Sequence, residues 1–181
     1  MSADADRRSA DAELSRLFAT HAASAGPTVD SMDVLETIAE ILGEIRTAAG
    51  PSAYHDDDTP LSWNTPAMDD APVGIAISGP AYRDNPIYYA NAAFEEITGY
   101  ADADVLGENL RLLQGPETAS EPVADLHEAI DIWAPVIVDL RNYRRDGTMF
   151  WNHLAVAPIP DETGTISNWV GLQEDVTDRQ S

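Results

Sequence analysis

Apolar residues recur at helical spacing in the first part of the chain and at strand spacing in the rest, and the texture changes at about Val73. Before that point, Ala10 to Ala25 and Ser31 to Ala49 are rich in Ala, Glu and Leu. The second stretch carries Leu35, Ile38, Leu42 and Ile45 on one helical face. Asp30 or Ser31 can cap this helix, and Gly50-Pro51 ends it. Pro27 and the Asp- and Pro-rich run from Pro51 to Pro66 read as linkers. A helix with a single apolar stripe has to bury it, either on the neighbouring domain or in a dimerising or signal-transmitting contact. The pattern therefore predicts a helical extension and linker over residues 1–70.

From Val73 onward, Gly74 to Ser78 and Ile87 to Ala90 read as strands around a loop from Pro80 to Pro86. Asn91 to Leu113 is dense in small helical pieces punctuated by Gly99 and Gly107, and Pro122 to Ile130 is a clearer helix. Three longer strands follow, Val136 to Tyr143, Met149 to Pro158 and Ile166 to Asp175, with turns at Asp146-Gly147 and near Gly164. Two strands, a helical middle and a three-stranded meander predict an α+β domain over 71–181, an antiparallel sheet with helices over one face.

Period-two alternation assigns faces to the last three strands. Val136, Val138, Leu140 and Asn142 share one face, as do Phe150, Asn152, Leu154 and Val156, and again Trp169, Gly171 and Gln173. Three side-chain amides thus fall on otherwise apolar, inward faces. A buried amide without partners costs about 1–3 kcal/mol, so these three either bond one another and the backbone or meet a polar ligand. An amide offers donors and acceptors together, so the matching ligand presents both along one edge. The pyrimidine edge of a flavin does this, as do other heterocycles, and Gly171 leaves room for a flat ring to approach the sheet.

Composition narrows the partners. The 181 residues carry 32 acidic and 10 basic side chains, a net charge of −22, and every basic residue is Arg. Such a surface repels itself unless salt screens it, and in molar salt the Debye length shrinks to about 3 Å. A host with a salt-rich cytoplasm accounts for acids spread along the whole chain better than a disordered acidic tail does. No basic stripe is present to replace the counterions of a phosphate backbone, so direct nucleic-acid binding is not expected. No apolar run approaches a membrane span and no signal-peptide core is present, which predicts a cytoplasmic protein. The absence of cysteine excludes disulfides, thiolate metal sites and cysteine chemistry.

The segment Gly107-Glu108-Asn109-Leu110-Arg111-Leu112-Leu113-Gln114-Gly115 resembles the signature of the light-oxygen-voltage (LOV) group of PAS domains, G-x-N-C-R-F-L-Q-G. Leu110 stands at the Cys position and Leu112 at the Phe position. The similarity extends upstream through Asp84-Asn85-Pro86-Ile87 and Phe94 to Tyr100. Downstream it runs through Asn142-Tyr143, Phe150-Trp151-Asn152, Gly171-Leu172-Gln173 and Asp175-Val176-Thr177. It covers about Pro72 to Arg179 in order.

The resemblance implies a PAS fold with a five-stranded antiparallel sheet, and a bound flavin. By position, Asn109 and Gln114 would contact the flavin and its ribityl chain, and Arg111 the phosphate. Asn142 and Asn152 would meet the pyrimidine edge and Gln173 would sit beside N5. Ala76, Ser78, Asn85, Leu110, Leu154 and Val156 would line the pocket. The loop after Gln114 is short, which favours FMN over FAD. His127 stands where the family commonly has a second phosphate-binding Arg; if it contributes little, riboflavin competes better with FMN.

The family's thiol forms a light-driven adduct with the flavin, and Leu110 has no nucleophile to do so. What remains is one-electron reduction of the excited flavin to a neutral semiquinone, with Trp133, Trp151, Trp169, Tyr88, Tyr89, Tyr143 and Tyr100 as candidate donors. Gln173 would relay the change at N5. The leading expectation is a blue-light or redox sensor. A light-independent PAS module for dimerisation or partner docking is the alternative. A flavoenzyme comes third, because no acid–base pair stands beside the ring.

In the family, Asp175 to Arg179 leads into an effector. The expectation is a fragment of a longer regulator or a signal carried by the N-terminal extension, with a kinase, an opsin-gene-type activator or a stand-alone sensor all open. Trp151 and His153 point to the other sheet face, a surface for the extension, a homodimer partner or an effector domain.

Overall fold

The computed structural model describes residues 3–22, 27–48, 65–80, 83–160, 164 and 166–180. Two helices come first, α1 (Ala3–Ala22) and α2 (Met32–Ala48), followed by a single turn, α3 (Pro66–Asp69). The linker expected from Pro51 to Pro66 lies outside the described residues as far as 64. Its end is ordered by local chemistry: the Thr65 hydroxyl accepts from the Met68 amide, and Pro66 opens the turn. Then come β1 (Gly74–Ser78), β2 (Ile87–Ala90), α4 (Ala92–Thr98), α5 (Asp102–Val105) and a 3₁₀ turn at Leu110–Leu113. After these follow α6 (Ser120–Asp131), β3 (Val136–Tyr143), β4 (Met149–Pro160), β5 (Ile166–Asp175) and the short α7 (Thr177–Gln180). The strands form one five-stranded antiparallel sheet in the order β2-β1-β5-β4-β3. This is the α+β arrangement that the strand pattern predicted, and the five-stranded sheet is the one that the LOV resemblance implied.

The apolar stripe of α2 does find a surface to cover. Leu35, Ile38, Leu42 and Ile45 are fully buried and pack with Ile75, Ile77, Ala155, Ala157, Ile159, Val170 and Leu172, the outward residues of β1, β4 and β5. Leu14 and Phe18 of α1 join the same cluster. Gly43 permits the close approach, since a Cβ there would come within 2.7 Å of the Pro160 carbonyl oxygen. The outer sheet face is thus occupied by the chain's own helices.

A polar clamp fixes the segment between those helices. The Glu174 carboxylate accepts from the amides of Thr28 (2.6 Å) and Val29 (3.1 Å). His153 bridges the Asp139 carboxylate (Nδ1···Oδ1 2.6 Å) and the Val29 carbonyl (Nε2···O 2.8 Å). Of the two outward residues singled out on β4, His153 therefore meets the extension, while Trp151 lies under the Arg141 guanidinium at 5.1 Å. Because Thr28 and Val29 are buried, Glu174→Ala leaves two amides without acceptors. The expected loss is about 2–4 kcal/mol of stability, with faster hydrogen exchange concentrated in residues 27–48. Urea unfolding and exchange mass spectrometry measure both; unchanged exchange in α2 would show that the clamp contributes nothing.

Candidate functional site

The other sheet face is left open. Between it, α6 and the turn at 109–114 lies a cavity of about 270 Å³. Asn142, Asn152, Leu154, Val156, Gly171 and Gln173 form its floor together with Ser78, Leu140 and Trp169. Leu126, His127, Ile130 and Asp131 of α6 make the facing wall, and Asp84, Asn85, Asn109, Leu110, Arg111, Leu113 and Gln114 complete the lining. All the residues expected at a ligand site are brought together here except Ala76, which is buried beside it in a cluster with Ile87, Ala90 and Phe94. Leu126, Ile130 and Asp131 were not singled out from sequence, although Leu126 and Ile130 stand at i, i+4 on one helix face, a signal that marks an inward wall.

Register gathers the amides at one end of the floor. Leu140 pairs with Asn152, and Leu154 with Gln173, so Asn142, Asn152 and Gln173 occupy three neighbouring strands. All three are buried, Asn152 and Gln173 completely. Asn152 Nδ2 donates to Asn142 Oδ1 at 2.9 Å, and Asn142 Nδ2 donates only a long 3.3 Å bond to its neighbour's carbonyl. Asn152 Oδ1 and both Gln173 amide atoms have no partner at all.

A buried amide with a purely structural task looks different. Asn91 accepts from the Ile75 and Phe94 amides and donates to the Met68 and Val73 carbonyls. Each orphan atom costs about 1–3 kcal/mol, so three at one spot represent strain that a ligand with both donors and acceptors relieves. Glycine at 171 keeps the floor bare beside them. A Cβ there would lie 3.0 Å from both Gln173 Nε2 and Leu110 Cδ1. That same contact sets the Leu110 side chain directly over Gly171.

The polar rim is already knitted into the loop. Asp84 and Asn85 both hold left-handed backbone, φ 69° and 47°, which short polar side chains tolerate. Asn109 donates to the Asp84 carbonyl (2.7 Å) and caps the 3₁₀ turn by accepting from the Arg111 amide (2.8 Å), while Asn85 donates to the Gly79 carbonyl (3.0 Å). The Arg111 guanidinium grips the Asp84 carboxylate with both nitrogens, Nη1 at 2.7 Å. That hydrogen bond holds the Asp84 carboxyl below its ordinary range. An anion arriving at this rim therefore shares Arg111 with Asp84, and meets Asp131 one helical turn beyond His127. Among the described residues no group of His, Asp and Glu side chains is arranged to hold a metal, and no helix is long and apolar enough to cross a membrane.

Comparison with known proteins gives a consistent picture. The family whose model matches is the PAS domain, over residues 72–178. The chain is 39% identical over 178 residues to the bacterioopsin transcriptional activator of Halobacterium salinarum, covering 98% of this chain and 26% of that relative. It is 44% identical over 111 residues to a blue-light photoreceptor of Listeria monocytogenes, covering 61% of this chain and 44% of the relative. A solved structure described under flavin-analogue work on the light-oxygen-voltage domain mechanism superposes with a TM-score of 0.59 at 40% identity, covering 63% of this chain and 84% of that one. The halobacterial relative agrees with a salt-adapted origin for the acidic surface. The chain spans less than half the length of either relative.

Proposed function

Because the chain belongs to the LOV branch of the PAS family, with a blue-light photoreceptor among its relatives, we propose that it binds FMN in this cavity. On this proposal it senses blue light or redox state by one-electron photoreduction of that flavin. The carrying observation is the set of unpartnered atoms, Asn152 Oδ1 and the Gln173 amide, buried on an otherwise apolar floor. They match the alternating donors and acceptors of a flavin's pyrimidine edge and N5.

When bound, flavin supplies blue absorption and a one-electron acceptor. Asn142 and Asn152 would hold the pyrimidine edge, and Gln173 would lie beside N5. Ser78, Asn85, Leu110, Leu154 and Val156 exclude water from the ring, and Ala76 backs that wall from behind. Asn109 and Gln114 meet the ribityl chain. Arg111, shared with Asp84, and His127 meet the phosphate; the divided charge at this rim lets riboflavin compete with FMN. Leu110 closes the covalent route, since it offers neither nucleophile nor proton.

Gln173 senses the outcome through its two-faced amide. With a flavin bound, Gln173 would offer Nε2 to an accepting ring nitrogen or Oε1 to a protonated one, so its amide orientation would depend on the flavin's protonation. Gln173 neighbours Glu174, which holds the segment between α1 and α2, so the proposed path runs from the cavity through β5 to these helices. The domain acts as a sensor and not as an enzyme, and a transcriptional output is proposed from the halobacterial relative's name alone.

An absorption spectrum of the purified protein in high salt tests the proposal. A flavin spectrum that changes under blue light with a mild reductant, and recovers in air, is expected. A colourless protein that takes up neither FMN nor riboflavin rejects it, and bound flavin that stays oxidised favours a light-independent docking module.

A further inference from the structure

We propose that Trp169 is the electron donor to the light-excited flavin, an assignment that rests on the flavin reading above. Among the described cavity-lining side chains, Trp169 is the one Trp, Tyr or Phe and the one readily oxidised ring. The other candidates are placed elsewhere. Trp133 is 66% exposed beyond the end of α6. Trp151 lies on the outer face under Arg141. Tyr89 belongs to the outer-face cluster and donates its hydroxyl to Asp69 at 2.7 Å. The Tyr143 ring packs on Gly115, and Tyr88 on Gly79. Tyr100 packs at the cluster around Phe94 without lining the cavity.

Trp169 shares the inward face of β5 with Gly171 and Gln173, and its register partners are Ser78 and Pro158. At a strand rise of about 3.3 Å per residue it stands about 13 Å along the floor from Gln173. The one residue between them on that face has no side chain. The polar amides therefore occupy one end of the bare stretch and the indole the other, where apolar Val156 and Leu126 surround it. A flat heterocycle anchored by the amides extends toward the indole past Gly171, where no side chain of β5 intervenes and Leu110 covers the strand from the opposite wall.

Burial shapes what happens next. Trp169 is only 4% exposed, so an oxidised indole there cannot readily hand its proton to water and instead takes an electron back. Trp169 gives one electron from its indole π system to the excited flavin and becomes a cation radical. A thiol from solution returns that electron, ending as half a disulfide and releasing its proton. The proton taken up with the flavin's electron comes from solvent. Lasting reduction consequently needs a thiol, and without one the electron returns to Trp169.

The test compares the unaltered protein with Trp169→Phe, each loaded with FMN in molar salt. In Trp169→Phe the flavin fluorescence lifetime lengthens several-fold, and the initial rate of photoreduction with dithiothreitol falls by about tenfold or more. Both proteins are measured at saturating FMN, and Trp169→Tyr restores part of the quenching. Should Trp169→Phe fail to fold, transient absorption of the unaltered protein decides: a tryptophan radical appears after a blue pulse and persists in Trp63→Phe, Trp133→Phe and Trp151→Phe. An unaltered lifetime and rate in Trp169→Phe overturns the assignment, as does a pulse that yields no tryptophan radical. Either result leaves the flavin proposal standing, whereas failure of the unaltered protein to bind flavin ends that proposal first.

Discussion

In the double variant Asn142→Leu/Asn152→Leu, FMN affinity falls by at least about thirtyfold while the unliganded protein becomes no less stable. Each amide lost leaves a polar group of the ligand buried without a partner, at about 1–3 kcal/mol apiece, or roughly thirty- to twenty-thousand-fold for the pair. The protein itself loses little. The two amides satisfy each other through a single bond of 2.9 Å and leave Asn152 Oδ1 orphaned. Exchanging both for apolar groups of similar size removes that penalty along with the bond. The signature is thus a melting temperature that holds or rises as binding collapses. Fluorescence titration and thermal melts of the flavin-free protein measure the two together. Affinity within threefold of the original would mean that the amides do not hold the ligand.

Leu110→Cys has the other large effect, and it is qualitative. Leu110 opens the 3₁₀ turn and its Cδ1 reaches to within 3.0 Å of the Cβ position over Gly171, so a side chain at 110 faces the bare floor. A thiol there restores the nucleophile that the LOV resemblance calls for, in a slot already shaped for it. The expected result is bleaching under blue light that needs no added reductant and reverses in the dark. On the proposed one-electron route the original chain instead needs an external thiol. Absorption spectra through light and dark, taken in molar salt so that the acidic surface is screened, separate the two behaviours. A Leu110→Cys protein that still requires reductant would show that the turn holds residue 110 away from the ring. The exchange also removes partly buried aliphatic contacts, at a cost of about 1–2 kcal/mol.

Much of the fold was legible because its signals are local. Residues of β3 and β5 alternate so regularly that the expected strands match the observed ones, and the amide face followed directly from period two. Boundaries failed where several cues compete. The first helix was expected from Ala10 but begins at Ala3, because its charged opening turns carry no apolar stripe to mark them. α6 runs Ser120–Asp131, longer at both ends than its apolar positions announced. The α3 turn was read as linker, since Pro66 signals a break as readily as a helix start.

At the site, the amides, Leu110 and Gly171 were found from pattern and resemblance. The pairing of Arg111 with Asp84 was not, because residues 27 positions apart meet only through the left-handed turn at Asp84-Asn85. Likewise, no periodicity could tell which of seven aromatic candidates faces the cavity. Face parity put Trp169 inward, but only the closed fold shows the others turned away or lying outside it.

The cover that α1 and α2 place on the outer sheet face sets a threshold for any partner. Because these helices belong to the same chain, they compete for that face at an effective concentration on the order of millimolar, whatever the protein's own concentration. A second subunit or an effector at micromolar levels cannot displace them by affinity of ordinary strength alone. Access to the sheet therefore becomes a property of how firmly the tethered helices hold.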